Sequence, residues 1–223
     1  FTVTDIGIPT MSTFEDFVVT VNAVNDAPIL GAIGNQTTNE DAAIVLNFTV
    51  NDVDSALNCN TSLSVTSTNT ALVPVANVVF GGTAPNCTAT VTPVANVNGS
   101  TDLTITLADG GMPIQTDSET FTFTVNAVND APVLGAIGNR NTNEDTPLVI
   151  NLNITDVDST LNCATSLSAT SSDTVLIPVA NIVFAGTAPN CTATVSPVAD
   201  GFGASNLTFT VTDSGMPILT DFE

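Results

Sequence analysis

The chain repeats itself, and that constrains its fold more than any other feature. Val21-Asn22-Ala23-Val24-Asn25-Asp26-Ala27-Pro28 returns as Val125 through Pro132, 104 positions later. The same offset relates Asn39-Glu40-Asp41 to Asn143-Glu144-Asp145, Asp52-Val53-Asp54-Ser55 to Asp156-Val157-Asp158-Ser159, and Cys59 and Cys87 to Cys163 and Cys191. At twice the offset, Phe1-Thr2-Val3-Thr4-Asp5 matches Phe209 through Asp213. A fixed period of this length implies tandem domains of about 100 residues. Residues 1–25 then read as the C-terminal strands of a preceding repeat, 26–129 as a complete repeat, and 130–223 as a repeat lacking most of its last strand. The expectation is a window onto a longer array, its ends set either by an arbitrary boundary or by a last repeat that is closed by a following segment or a neighbouring subunit.

Within each copy, apolar and polar residues alternate. Ile44, Leu46, Phe48 and Val50 share one face, as do Leu148, Ile150, Leu152 and Ile154, then Leu103, Ile105 and Leu107, then Phe121, Phe123 and Val125. A period of two over short runs rich in Val, Ile, Thr and Phe is the signal of half-buried strands. Turns fall where Gly, Pro and Asn cluster, as at Gly110–Pro113 and Gly81–Asn86. The predicted fold is all-β: tandem seven-stranded antiparallel β-sandwiches, Ig-like or cadherin-like. Strands are expected at Pro28–Ile33, Ile44–Val50, Leu63–Ser67, Val75–Phe80, Thr88–Thr92, Asp102–Ala108 and Glu119–Asn126.

Charge excludes whole classes of function. With 22 Asp+Glu, one Lys+Arg and no His, the net charge is −21. Such a polyanion has no electrostatic route to nucleic acid or to an anionic membrane. Without His there is no triad and no His-ligated zinc; without Lys there is no Schiff base. Carboxylate and amide oxygens remain, the ligands of a hard cation such as Ca²⁺. No apolar run is long enough to span a bilayer, and residues 1–25 lack the basic start of a signal peptide. The segment therefore reads as part of an exported, extracellular or cell-surface chain.

Each copy holds two cysteines 28 residues apart, Cys59 with Cys87 and Cys163 with Cys191. One pair per repeat and no CxxC motif favour structural disulfides in an oxidising setting, four buried thiols being the alternative. Sequons at Asn35, Asn47, Asn60, Asn86, Asn98, Asn153, Asn190 and Asn206 permit glycosylation. Arg140 reads as a solvated charge.

Leu103-Thr104-Ile105-Thr106-Leu107-Ala108-Asp109-Gly110-Gly111-Met112-Pro113, followed by Phe121 through Pro132, resembles the final strands and linker of a cadherin-type repeat. With the acidic Asn-Glu-Asp and Asp-Val-Asp-Ser segments the resemblance covers nearly the whole period, and it is closer to the bacterial cadherin-like repeats of large surface adhesins. It implies Ca²⁺ at the junctions between domains. Carried over by position, Glu40 and Asp41, the linker's Asn129 and Asp130, Asp156 and Asp158, and Asp213 would serve the contained junction. Asn25, Asp26, Asp52, Asp54 and Asp109 would serve the preceding one; Glu144, Asp145 and Asp200 the following one. Ala23 and Ala127 stand where the family carries an acid, Asn96 replaces another, and Ala27 and Ala131 replace an Asn, so fewer or weaker ions are expected. The alternative is that Asp52, Asp54 and Asp109 are turn residues capping backbone N–H groups.

The function expected is a structural repeat of a fibre, stalk or giant surface protein, stiffened by Ca²⁺ and one disulfide per repeat. Its partners would be neighbouring repeats or copies of itself, joined head-to-tail or by strand donation. An adhesin module binding a glycan or protein through its loops is the alternative. An enzyme is disfavoured: every candidate carboxylate recurs in a turn beside a linker, and there is no Trp or Tyr to line a cleft.

Overall fold

A computed structural model describes all residues, Phe1–Glu223. The protein is all-β, with no α-helix and antiparallel strand pairing. An N-terminal hairpin joins β1 (Thr2–Thr4) to β2 (Ser12–Phe14). Then follow β3 (Ile29–Leu30), β4 (Gln36–Asn39), β5 (Ile44–Asn51), β6 (Leu63–Ser67), β7 (Val78–Thr83), β8 (Asn86–Val91), β9 (Gly99–Ala108) and β10 (Thr116–Asn126). The second copy gives β11 (Val133–Leu134), β12 (Leu148–Thr155), β13 (Leu167–Ser171), β14 (Ile182–Thr187), β15 (Asn190–Val195), β16 (Leu207–Thr212) and β17 (Thr220–Phe222).

Two compact units form. One comprises Phe1–Thr38, Ala42–Val94 and Ser100–Thr124; the other comprises Asn39–Asp41, Ala95–Gly99 and Val125–Glu223. Residues 26–129 build sheets ordered β3-β5-β8-β7 and β4-β10-β9-β6; residues 130–223 build β11-β12-β15-β14 and β13-β16-β17. The alternation in the sequence sets which face is inward, because successive side chains on a strand point to opposite faces. β5 and β12 accordingly bury every second residue, Leu46, Phe48 and Val50 in one, Ile150, Leu152 and Ile154 in the other. Phe123, Leu103, Ile105, Leu107 and Leu72 complete the first core; Phe209, Val211, Val195 and Leu134 belong to the second. No helix is long and apolar enough to cross a membrane.

The strand expected over Pro28–Ile33 is instead two short strands in different sheets. Gly34, at φ 68°, turns the chain between β3, which pairs with β5, and β4, which pairs beside β10. The strand expected from Val75 begins later, because Pro74 opens a 3-10 turn at Val75–Asn77.

Cys59–Cys87 and Cys163–Cys191 are both disulfides, with no free cysteine. Each ties the loop after β5 or β12 to β8 or β15. By chain entropy, a loop of 28 residues is worth about 3.5 kcal/mol.

Candidate functional site

The acidic residues sit in turns held by their own backbone. In the first unit, Asp52 Oδ1 accepts from the N–H groups of Asp54 (3.0 Å) and Ser55 (2.9 Å). In the second, Asp156 Oδ1 accepts from Asp158 (2.9 Å) and Ser159 (2.7 Å). An Asx turn of this kind explains one oxygen of each carboxylate. It leaves the other out: Asp52 Oδ2 and Asp156 Oδ2 are both buried with no hydrogen-bond partner. A buried charged oxygen without a partner is costly, and here the same oxygen is stranded in both copies.

The second acid of each pair reaches the linker. Asp54 Oδ2 accepts from Asp26 N (3.1 Å), and Asp158 Oδ2 from Asp130 N (2.6 Å). The linker asparagine turns to the hairpin after the penultimate strand. Asn25 Nδ2 donates to Asp109 Oδ2 (2.7 Å) and Pro113 O (2.9 Å). Asn129 Nδ2 repeats this with Asp213 Oδ2 and Pro217 O (2.9 Å). Asp109 and Asp213 are buried, and Asp109 Oδ1 and Asp213 Oδ1 take the N–H groups of Gln115 and Leu219, both at 2.9 Å. A Cβ at Gly111 or Gly215 would collide with the asparagine side chain, so both positions require glycine for space.

Three more residues of the second unit complete the set. Glu40, 3% exposed, accepts from Val128 N (2.6 Å) through Oε1. Asp41 adopts φ 60° and its Oδ1 accepts from Asn96 N (3.0 Å). With its amide assigned so that the nitrogen faces the acids, the orientation that satisfies both of its polar atoms, Asn96 donates to Asp130 Oδ2 (3.1 Å) and Asp41 Oδ2 (3.3 Å). Thus Glu40, Asp41, Asn129, Asp130, Asp156, Asp158 and Asp213 all lie in one unit, as do Asn25, Asp26, Asp52, Asp54 and Asp109 in the other. Glu144, Asp145 and Asp200 are exposed; Asp200 N donates to Asp145 Oδ1 (3.0 Å).

The electrostatics separate two kinds of carboxylate. The Asn129 amide and the Leu219 N–H hold Asp213 below the usual carboxylate range. The Gln115 N–H, with Asn25 and Gly111, does so for Asp109, and the N–H groups of Asp54 and Ser55 for Asp52. Asp130 is pushed up by desolvation and then by the charges of Asp158, Asp41, Glu40 and Asp156. The Asp26 N–H pulls Asp54 down but is outweighed by desolvation and by Asp52 and Asp26, leaving it raised.

No group of three or more His, Cys, Asp or Glu side chains is gathered where a metal ion could be held; the acids are spread among backbone N–H groups and asparagine amides. What fits a cation is the chemistry of the donor set: a stranded Asp156 Oδ2 and an Asp130 carboxylate pushed up by desolvation and by its acidic neighbours. Ca²⁺ takes such oxygen ligands, water included.

One positioning pair was missed in reading the sequence. Asp117 Oδ2 accepts from Leu30 N and Asp221 Oδ2 from Leu134 N, both at 2.8 Å, tying the first strand of each copy to its last. Their shared offset of 104 is the signal that marks them.

No protein-family model matches the chain, and no curated protein matches it. Among solved structures it is similar to protocadherin gamma B2 extracellular cadherin domains 3–6, with 20% identity and a TM-score of 0.41, covering 99% of this chain and 57% of that one. It is similar to the cis-dimer structure of protocadherin gamma B7 EC3–6, with 20% identity and a TM-score of 0.42, covering 89% and 49%. For mouse cadherin-23 EC22–24 the values are 15% and 0.45, covering 89% and 65%. The chain thus spans less than two thirds of each of these solved chains.

Proposed function

We propose that this chain is a structural, non-enzymatic segment of an extracellular or cell-surface array. Its cadherin-like repeats run 26–129 and 130–223, with 1–25 from a preceding copy, and divalent calcium stiffens their junctions. The observation that carries the reading is the stranded oxygen at Asp52 and Asp156. Turn capping accounts for Oδ1 in both copies and offers nothing to Oδ2, whereas a bound cation supplies the missing positive partner. Two disulfides support an oxidising location.

At the contained junction Asp156, Asp130, Asp158 and Glu40 would hold the ion, with Asp41, Asn129 and Asp213 supporting. Asp52, Asp54, Asp26, Asn25 and Asp109 would do so at the preceding junction, and Glu144, Asp145 and Asp200 at the following one. Calcium supplies charge that relieves the repulsion raising Asp130. The residues do the rest: Asp158 and Glu40 grip the linker N–H groups of Asp130 and Val128, fixing the backbone whether or not the ion is bound. The array extends by head-to-tail contact or strand donation.

Isothermal titration calorimetry with CaCl₂ tests the reading. The wild type should bind calcium with heat that is lost or sharply reduced in Asp156→Asn, while Asp117→Asn, remote from the acidic turn, leaves it intact. No binding heat in the wild type, or equal heats in both variants, would overturn it.

A further inference from the structure

We propose that the carboxamides of Asn129 and Asn96 act as built-in, metal-free counter-groups of the acidic turns, and that Asn or Asp at such positions sets how strongly a junction depends on calcium. The inference rests on the calcium reading for its second half only; the first half concerns the hydrogen bonds of Asn129 and, with its amide assigned to face the acids, of Asn96.

The geometry is specific. Asn129 Nδ2 is shared between the Asp213 carboxylate and Pro217 O, and Gly215 clears the space it occupies. Asn25, Asp109, Pro113 and Gly111 reproduce the arrangement in the first unit, so it is a feature of the repeat and not of one loop. Asn96, with its amide assigned in the orientation that satisfies both polar atoms, donates toward two acids at once, Asp130 and Asp41. A primary amide carries two N–H donors and can satisfy two acceptors without bringing in charge. Hydrogen bonds to carboxylates are among the stronger ones, so such a clamp persists when the cation is removed.

The chain also contains the contrasting case. Asp200 stands at the position of Asn96, one period later. Both residues sit in the left-handed region, at φ 58° and 56°, and each donates its N–H to the preceding turn's aspartate, Asp145 Oδ1 or Asp41 Oδ1, at 3.0 Å. The backbone is the same; only the side chain differs. With Asn the position gives hydrogen bonds to its acidic neighbours. With Asp the position adds another carboxylate and no donor, so beside a linker aspartate it adds repulsion that a cation would relieve. Junctions along one array would then differ in calcium demand through a single atom pair.

Thermal melts of the whole chain in EDTA and in CaCl₂ test this with Asn129→Ala, Asn96→Ala and Asn96→Asp. Asn96→Asp is expected to fold, since Asp200 holds the same backbone. In EDTA all three should melt roughly 4–8 °C below wild type, the shift produced by losing about one such interaction in a domain of this size. Calcium should raise the melting temperature of Asn96→Asp by more than it raises wild type or Asn96→Ala. Unchanged melting in EDTA for Asn129→Ala and Asn96→Ala would overturn the counter-group role. An Asn96→Asp response to calcium no larger than that of Asn96→Ala would overturn the role in setting dependence. A wild type insensitive to calcium would sink the calcium reading alone, leaving the EDTA arm to decide the first half.

Discussion

Glu40 is buried against the N–H of Val128, far along the chain, so position in the repeat says which residue type is present and its neighbours decide what it does. Gly215 illustrates the same point. The sequence reads it as a turn glycine, but the structure needs it because Asn129 fills the space a Cβ would take. Gly215→Ala should destabilise the chain by about 1–3 kcal/mol, the usual cost of forcing extra volume into a packed site, as read from urea unfolding. The carboxylates also predict a pH profile in metal-free buffer. Asp213, Asp109 and Asp52 ionise below the ordinary value of 3.8, so their contribution is complete above it and is lost as pH falls through their lower folded values. Asp130 and Asp54 are raised, so their contribution has the opposite sign: it is present below 3.8 and lost as pH rises through their folded values. Melting temperatures recorded in EDTA from pH 7 downward should first rise as Asp130 and Asp54 take up protons, then fall below pH 3.8. A steady fall from neutrality would contradict this assignment.

Strands were legible wherever a long alternating run carried the signal. Leu63–Ser67 is the strand expected, and the long strands near Ile44 and Asp102 differ only at their ends. The first strand was not, because its break depends on Gly34 and on which sheet each half joins, and neither is a matter of periodicity. The acidic turns were legible as motifs. Their division into capped and stranded oxygens was not, since it depends on side-chain direction; nor were the Asp117 and Asp221 ties to distant N–H groups. β10 runs from Thr116 to Asn126 and lays Phe121, Phe123 and Val125 into the first core, where Leu72 and Leu103 are fully buried. Leu72→Ala should cost about 3–5 kcal/mol, the range for emptying a buried leucine site. A loss under about 1 kcal/mol in denaturant unfolding would count against this packing.

For the whole molecule, 22 acids against one base make self-repulsion the dominant electrostatic fact. Backbone N–H caps and asparagine amides absorb part of it locally, and calcium is assigned the remainder at the stranded oxygens. A ligand that binds only the folded state raises stability in proportion to the logarithm of its concentration, by about 2.7 kcal/mol at a hundredfold excess over Kd. The most direct measurement is the melting temperature of residues 1–223 across a calcium titration that begins in EDTA. The account predicts a rise that continues with the logarithm of calcium concentration and is diminished in Asp156→Asn. Melting curves that superimpose from EDTA to millimolar calcium would contradict it.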